Sequence, residues 1–162
     1  TLGHRRIAFI QGHPESDGAN QRFDGYVDCL KKNGLPYEQD LCARGAYDFA
    51  SGQSAAQRLL DRQANPSAII AASDTMAIGA IDTILKAGYR VPEDISVIGF
   101  DDIPAASMPR IDLTTVRVPK KDMGIAAAQI LLRRIKNETN GGSKQIISPV
   151  ELVIRNTTAA ST

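Results

Sequence analysis

The chain has 162 residues, 43% of them apolar and 23% charged, with a net charge of +1 and a pI near 7.7. Those values fit one ordinary soluble domain or two small lobes, and they exclude a global attraction for nucleic acid or an anionic membrane. No run reaches the roughly 20 apolar residues of a membrane span, and Cys29 and Cys42 form neither a disulfide framework nor a metal spacing. His4-Arg5-Arg6 leads straight into a strand and not into a signal-peptide core. A cytoplasmic protein is expected, unless a targeting segment has been cut away.

The first strand is Arg6–Ile10, ending in the loop Gln11-Gly12-His13-Pro14, with His4 as a surface residue before it. Asn20 is a good N-cap for a helix whose Phe23, Tyr26, Val27 and Leu30 recur at i, i+3, i+4 and i+7. Asn33-Gly34 and Pro36 stop that helix, and Cys29 is read on its apolar stripe as a reduced core thiol. Leu41–Ala46 is a weak, edge-like strand. Ser51 caps a second helix, with Ala55, Leu59 and Leu60 inward, which Asn65-Pro66 ends. Ala68–Ala72 is a buried strand that terminates in Ser73-Asp74.

A third helix runs from Thr75 to Ala87, with Gly88 as its stop. Its apolar arc (Met76, Ala77, Ile78, Ala80, Ile81, Ile84, Leu85, Ala87) is wider than one sheet-facing stripe. Either the helix is buried on two sides, against the sheet and another chain, or it is an alanine-rich helix under a loop. Ile95–Phe100 is a β-branched central strand, in which Gly99 allows a close neighbour. It delivers Asp101 and Asp102 to its carboxyl end, where open parallel sheets hold ligands.

After a loop with Pro104 and Pro109, Leu113–Val118 is extended. Lys120–Lys136 is a helix with Met123, Ala127, Ile130, Leu131 and Ile135 inward and basic residues outward. Asn140–Ser143 is a flexible turn, Val150–Ile154 a last strand, and the remaining tail is expected to fray. The alternation predicts an α/β fold: an open parallel sheet with right-handed crossovers and helices on both faces.

No phosphate loop, G-x-S-x-G elbow or HExxH is present, so no enzyme chemistry is indicated. Neither a metal site nor a cofactor is expected. His13 suits a turn better than a general base. Asn137-Glu138-Thr139 and Asn156-Thr157-Thr158 match glycosylation acceptors by chance. Adjacent carboxylates leaving a strand point opposite ways, so Asp101 is assigned to a ligand and Asp102 to the following loop.

Gln11, Ser73 and Asp101 converge on one rim, where Arg22, from a helix's first turn, and Tyr47, from the Gly45–Gly52 loop, join them. A carboxylate, a guanidinium, a hydroxyl and an aromatic ring suit a small polyol or heterocycle, bound without chemistry. Each residue also has a plain alternative: Arg22 in an ion pair with Asp24 or Glu15, Ser73 as a helix N-cap, Tyr47 as loop filler.

The stretches HRRIAFI (4–10), RFDGY (22–26), AASDTMAIGA (71–80), RVPEDISVIGFDD (90–102) and LTTV (113–116) together resemble the LacI/GalR family of bacterial transcription regulators. The resemblance runs from Gly3 to about Arg155. It implies a lobe of a periplasmic-binding-protein-like fold, with an effector in the cleft between two lobes. It implies that Arg22 and Asp101 contact the effector, a sugar or nucleobase-like molecule, and that Tyr47 packs beside it; Gln11 and His13, from the carboxyl-end loop of the first strand, are candidate rim residues. The family's usual Asn is Ser73 here, a departure that removes a paired donor and acceptor.

The resemblance further implies a C-terminal lobe over 1–116, a crossover strand and helix of the other lobe over 117–146, a return strand over 147–155 and a tail over 156–162. The chain is then part of a longer protein, and the apolar face of the Lys120–Lys136 helix requires cover. Met76, Ala80, Ile84 and Met108 are expected in a homodimer interface, and operator DNA would be reached only through an N-terminal module outside this chain. With half of the cleft present, weak effector binding is expected. The rival reading is a periplasmic sugar-binding protein of a transporter.

Overall fold

The computed structural model describes residues 2–136 and 145–161. The expected turn at 140–143 and the acceptor match at 137–139 lie outside them. Short runs of Ala and β-branched residues form the strands β1 (Ile7–Gln11), β2 (Cys42–Arg44), β3 (Ala68–Ala71), β4 (Ser96–Asp101), β5 (Thr114–Arg117) and β6 (Glu151–Val153). They make one sheet in the order β2-β1-β3-β4-β5-β6. The first five strands are parallel, whereas β6 returns antiparallel to β5, with Val116 opposite Leu152. The sheet is therefore mixed at this margin, and β2, the strand read as edge-like, is the opposite margin.

The helices are α1 (Asp17–Lys32), α2 (Phe49–Asp61), α3 (Asp74–Lys86) and α4 (Lys120–Ile135). Right-handed crossovers put α1 on one face and α2 with α3 on the other. On the α1 face, Phe9 stacks on Tyr26 with ring centroids 4.9 Å apart. On the other face α2 and α3 touch backbone to backbone. A Cβ on Gly52 would collide with the Met76 carbonyl, and one on Gly79 with the Phe49 carbonyl.

That packing explains the wide apolar arc of α3. Its two-sided burial is real, but the second partner is α2 of the same chain. Met76, Ala80 and Ile84 are each 0% exposed, so they have no surface left for a second copy and are removed from the expected interface. Large apolar side chains that stay exposed are Leu85 on α3, Tyr89 just after it and Met108 in the loop after β4.

Local boundaries differ in instructive ways. Ser16, not Asn20, caps α1, accepting from the Ala19 N–H; the Asn20 side chain instead donates to the Pro14 carbonyl. Arg22 therefore falls in the second turn. Asp48 caps α2 through the Ser51 N–H, while Ser51 holds the Ala46 N–H. Cys29 is exposed, because the buried stripe of α1 passes through Ala19, Tyr26 and Leu30.

The tail does not fray. Thr157 is buried, its hydroxyl donating to the Val97 carbonyl at 2.7 Å and accepting from the Thr114 N–H at 2.9 Å. His4, half-buried, hydrogen-bonds Ser67 Oγ and the Ala159 carbonyl. α4 contributes no buried residue. Its Leu131 and Ile135, expected to face inward, are 59% and 67% exposed.

Candidate functional site at the carboxyl rim

Five parallel strands end on one rim, and the polar residues there arrive for local backbone reasons. Asp101, the last residue of β4, has φ 112°, and Asp102 has φ 51°. Two successive non-glycine residues in that region cost free energy, and the surroundings hold them. On the loop side, the buried Asp74 accepts from the Ile103 N–H at 2.8 Å and from the Thr115 hydroxyl. Gly99 is required because a Cβ there would collide with Asp74 Oδ1. On the far side, Asp102 accepts from Arg117 Nε and Arg155 Nη2, both at 2.6 Å. Asp102 is thus pinned by two arginines and not, as its position suggested, to the following loop; the loop's Ile103 N–H goes to Asp74 instead.

Asp101 is left otherwise. Its carboxylate has no hydrogen-bond partner among the described residues, and only its backbone carbonyl is engaged, by Lys120 Nζ at 2.6 Å. Burial pushes its carboxyl above the ordinary carboxylate value; the charges of Arg22 and Lys120 oppose this, and Asp74 adds to it. Arg22 donates to the Ala72 carbonyl at 3.1 Å and lies 4.1 Å from the centre of the Phe100 ring. Neither of the suggested ion pairs, with Asp24 or Glu15, forms. The fork keeps further donors beside an unused acceptor. A cavity of about 320 Å³ opens over Arg22 and Phe100, walled by Val118, Met123 and Val150.

Tyr47 lies further along the rim, with φ 66° and its ring against Gly12, where a Cβ would strike it. Gln11 ends β1 opposite Arg44. Ser73 is the residue the site does not gain: it is buried, and its hydroxyl caps α3 by accepting from the Met76 N–H at 3.3 Å. The plain alternative holds there. His13 is exposed in a turn, its Nδ1 accepting from the Glu15 N–H at 3.4 Å. The rim thus unites Arg22 with Asp101, sets Tyr47 at the β1 end and turns Ser73 inward.

Phe100 and Lys120 were missed. An apolar residue inside a strand reads as core, and a lysine opening a helix reads as a solvated charge. Among the described residues no group of three or more His, Cys, Asp or Glu could hold a metal ion, and no helix is long and apolar enough to cross a membrane.

The half-buried Asp101 carboxylate, within reach of the Arg22 charge, thus sits at the tips of a parallel sheet. The chain belongs to the periplasmic binding protein-like domain family, whose profile matches residues 1–158, and its relatives are LacI-type regulators, as the motifs implied.

It is 36% identical over 158 residues to the transcriptional repressor CytR of Escherichia coli strain K12, covering 98% of this chain and 46% of that protein. Among solved structures, the complex of the transcriptional regulator CelR with cellobiose superposes with a TM-score of 0.91 at 35% identity, over 96% of this chain and 47% of CelR. The lac repressor dimer bound to operator and the anti-inducer ONPF gives 0.87 at 33% identity, over 98% and 54%. The chain spans about half the length of the curated relatives it matches. These relatives are regulators, not enzymes.

Proposed function

We propose that the chain is the effector-binding and subunit-pairing part of a LacI-type transcriptional regulator. A small polyhydroxylated or heterocyclic molecule docks at the carboxyl rim. Asp101 accepts from its hydroxyl or N–H groups, Arg22 donates to its oxygens, and Tyr47 covers an apolar face. One observation carries this reading: the Asp101 carboxylate has no hydrogen-bond partner among the described residues, next in sequence to Phe100, whose ring lies 4.1 Å from the Arg22 guanidinium.

Residues 1–116 would form one lobe, and 117–146 would belong to the other, which explains why α4 has no buried side. The effector then biases the two lobes, and the bias reaches operator half-sites through a separate module in the cytoplasm. Binding without catalysis follows from a rim that pairs no nucleophile with a base. Pairing with a second copy would use Phe49, Leu85 and Met108, which are 41%, 53% and 54% exposed. Repressors among the relatives favour this reading over a transporter's binding protein.

The test is a thermal-shift screen of sugars and purines on the full-length protein, followed by calorimetry on Arg22→Ala. The reading expects at least one compound to raise the melting temperature and R22A to abolish that rise. A hit indifferent to R22A, or no hit at all, would sink it. For this chain alone, with half a cleft, affinity weaker than micromolar is expected.

A further inference from the structure

A second concave site lies at the opposite margin of the sheet, along β2. It is a groove of about 540 Å³ lined by Arg44, Arg58 and Arg62 on one side and the rings of Phe23 and Tyr37 on the other. A smaller hollow of about 210 Å³ shares Gln11, Phe23 and Arg44 with it, so Arg44 stands between the two. In a chain of net charge +1, this gathers three guanidiniums with no Asp or Glu among the lining residues.

Of the carboxylates nearby in sequence, Glu38 pairs with Arg6 at 3.1 Å and Asp61 takes a hydrogen bond from Gln57 at 2.8 Å, while Asp24 and Asp40 are not among the lining residues. Arg58 and Arg62 each donate once to a backbone carbonyl of β2, those of Arg44 and Cys42. Those bonds anchor the two side chains along the edge and occupy the carbonyls that another strand would need. An added peptide strand is thereby disfavoured as the occupant. The Arg44 side chain has no hydrogen bond or ion pair among the described residues.

Guanidiniums gathered in a groove whose lining holds no carboxylate match the geometry of phosphate oxygens. Phe23 and Tyr37, edge to face at 6.0 Å, add a wall on which a flat ring can lie, and the volume falls within the range of small-molecule sites. We propose that this groove binds a small molecule carrying a phosphate on a ring system, of the nucleoside-monophosphate type, independently of the effector rim at Arg22 and Asp101.

Titration calorimetry of the chain with adenosine 5′-monophosphate, adenosine and inorganic phosphate tests this, at about 0.15 M salt so that loose surface attraction is screened. The nucleotide should bind at least about tenfold more tightly than either fragment. Arg44→Glu should weaken it by at least about tenfold, with Arg62→Gln as a second variant that spares Arg44. Arg22→Ala should leave it unchanged. No heat with the nucleotide, adenosine or phosphate binding as tightly, insensitivity to both groove variants, or loss on R22A would each overturn the proposal.

Discussion

Arg155, just beyond β6, donates to Asp102 Oδ1 at 2.6 Å, and both side chains are nearly buried, at 13% and 12% exposure. Arg117 of β5 holds the other oxygen, so one carboxylate ties the end of β4 to its neighbour β5 and to the segment just beyond β6. Asp102→Asn keeps the shape and the tolerance of positive φ but removes the charge. The expected loss is about 2 kcal/mol in urea unfolding. Burial raises the Asp102 carboxyl, but the bonds and charges of Arg117 and Arg155 outweigh it and hold it below the ordinary carboxylate value. Its stabilisation is therefore complete above the unfolded-state pKa of about 4, and it fades as pH falls through the lower folded value. Melting followed from pH 6 to pH 2 should show the variant losing less stability below pH 4 than the parent.

Asp101 has the opposite sign. Its carboxyl is raised in the fold, so its ionised form destabilises the native state at neutral pH, and that cost disappears in acid. Asp101→Asn should melt about 2 °C higher at pH 7 and level with the parent near pH 3, while losing effector affinity. A lower melting point at pH 7 would refute this.

Gly79 faces the Phe49 carbonyl and the Gln53 N–H across the α2–α3 contact. Gly79→Ala gains helix propensity but cannot fit without parting the helices. The expected net loss is about 1–3 kcal/mol, measured by urea unfolding. Gly25→Ala, where a Cβ meets nothing, serves as the control and should be neutral or stabilising.

Leu85 is exposed beside buried neighbours on α3. Leu85→Asp should leave the melting temperature of the monomer unchanged and shift the sedimentation profile of the full-length protein from dimer toward monomer. An unchanged profile would place the pairing surface elsewhere.

The strands were legible because buried parallel strands are continuous apolar runs, which periodicity alone detects. Gly99 could also be placed in advance, since a glycine inside such a run signals a close neighbour; the neighbour itself, Asp74, could not be named. Caps were less legible: Asn20 reads as the cap of α1, whereas Ser16, four residues earlier, takes that role. The width of the α3 arc left two-sided burial and an alanine-rich helix under a loop both open, and it carried no information that the second partner was α2. The contact depends on Gly52 facing the Met76 backbone and Gly79 facing the Phe49 backbone, a crossing that no local pattern encodes. Ser73 and Asp101 leave neighbouring strands alike; the backbone reversal at Asp101 frees one carboxylate, while helix initiation consumes the other residue's hydroxyl. Phe100 was hidden for a similar reason, since strand burial and ring stacking call for the same residue type.

The antiparallel return of β6 along β5 has a mechanical meaning. The chain leaves the six-stranded sheet after β5 and re-enters it as β6 on the same margin. Twisting at that margin strains the ladder less than sliding, because sliding breaks its hydrogen bonds. A body carried there would nod like a page on a spine, and its pivot would fall beside Arg117, directly across from Asp101 at the end of β4.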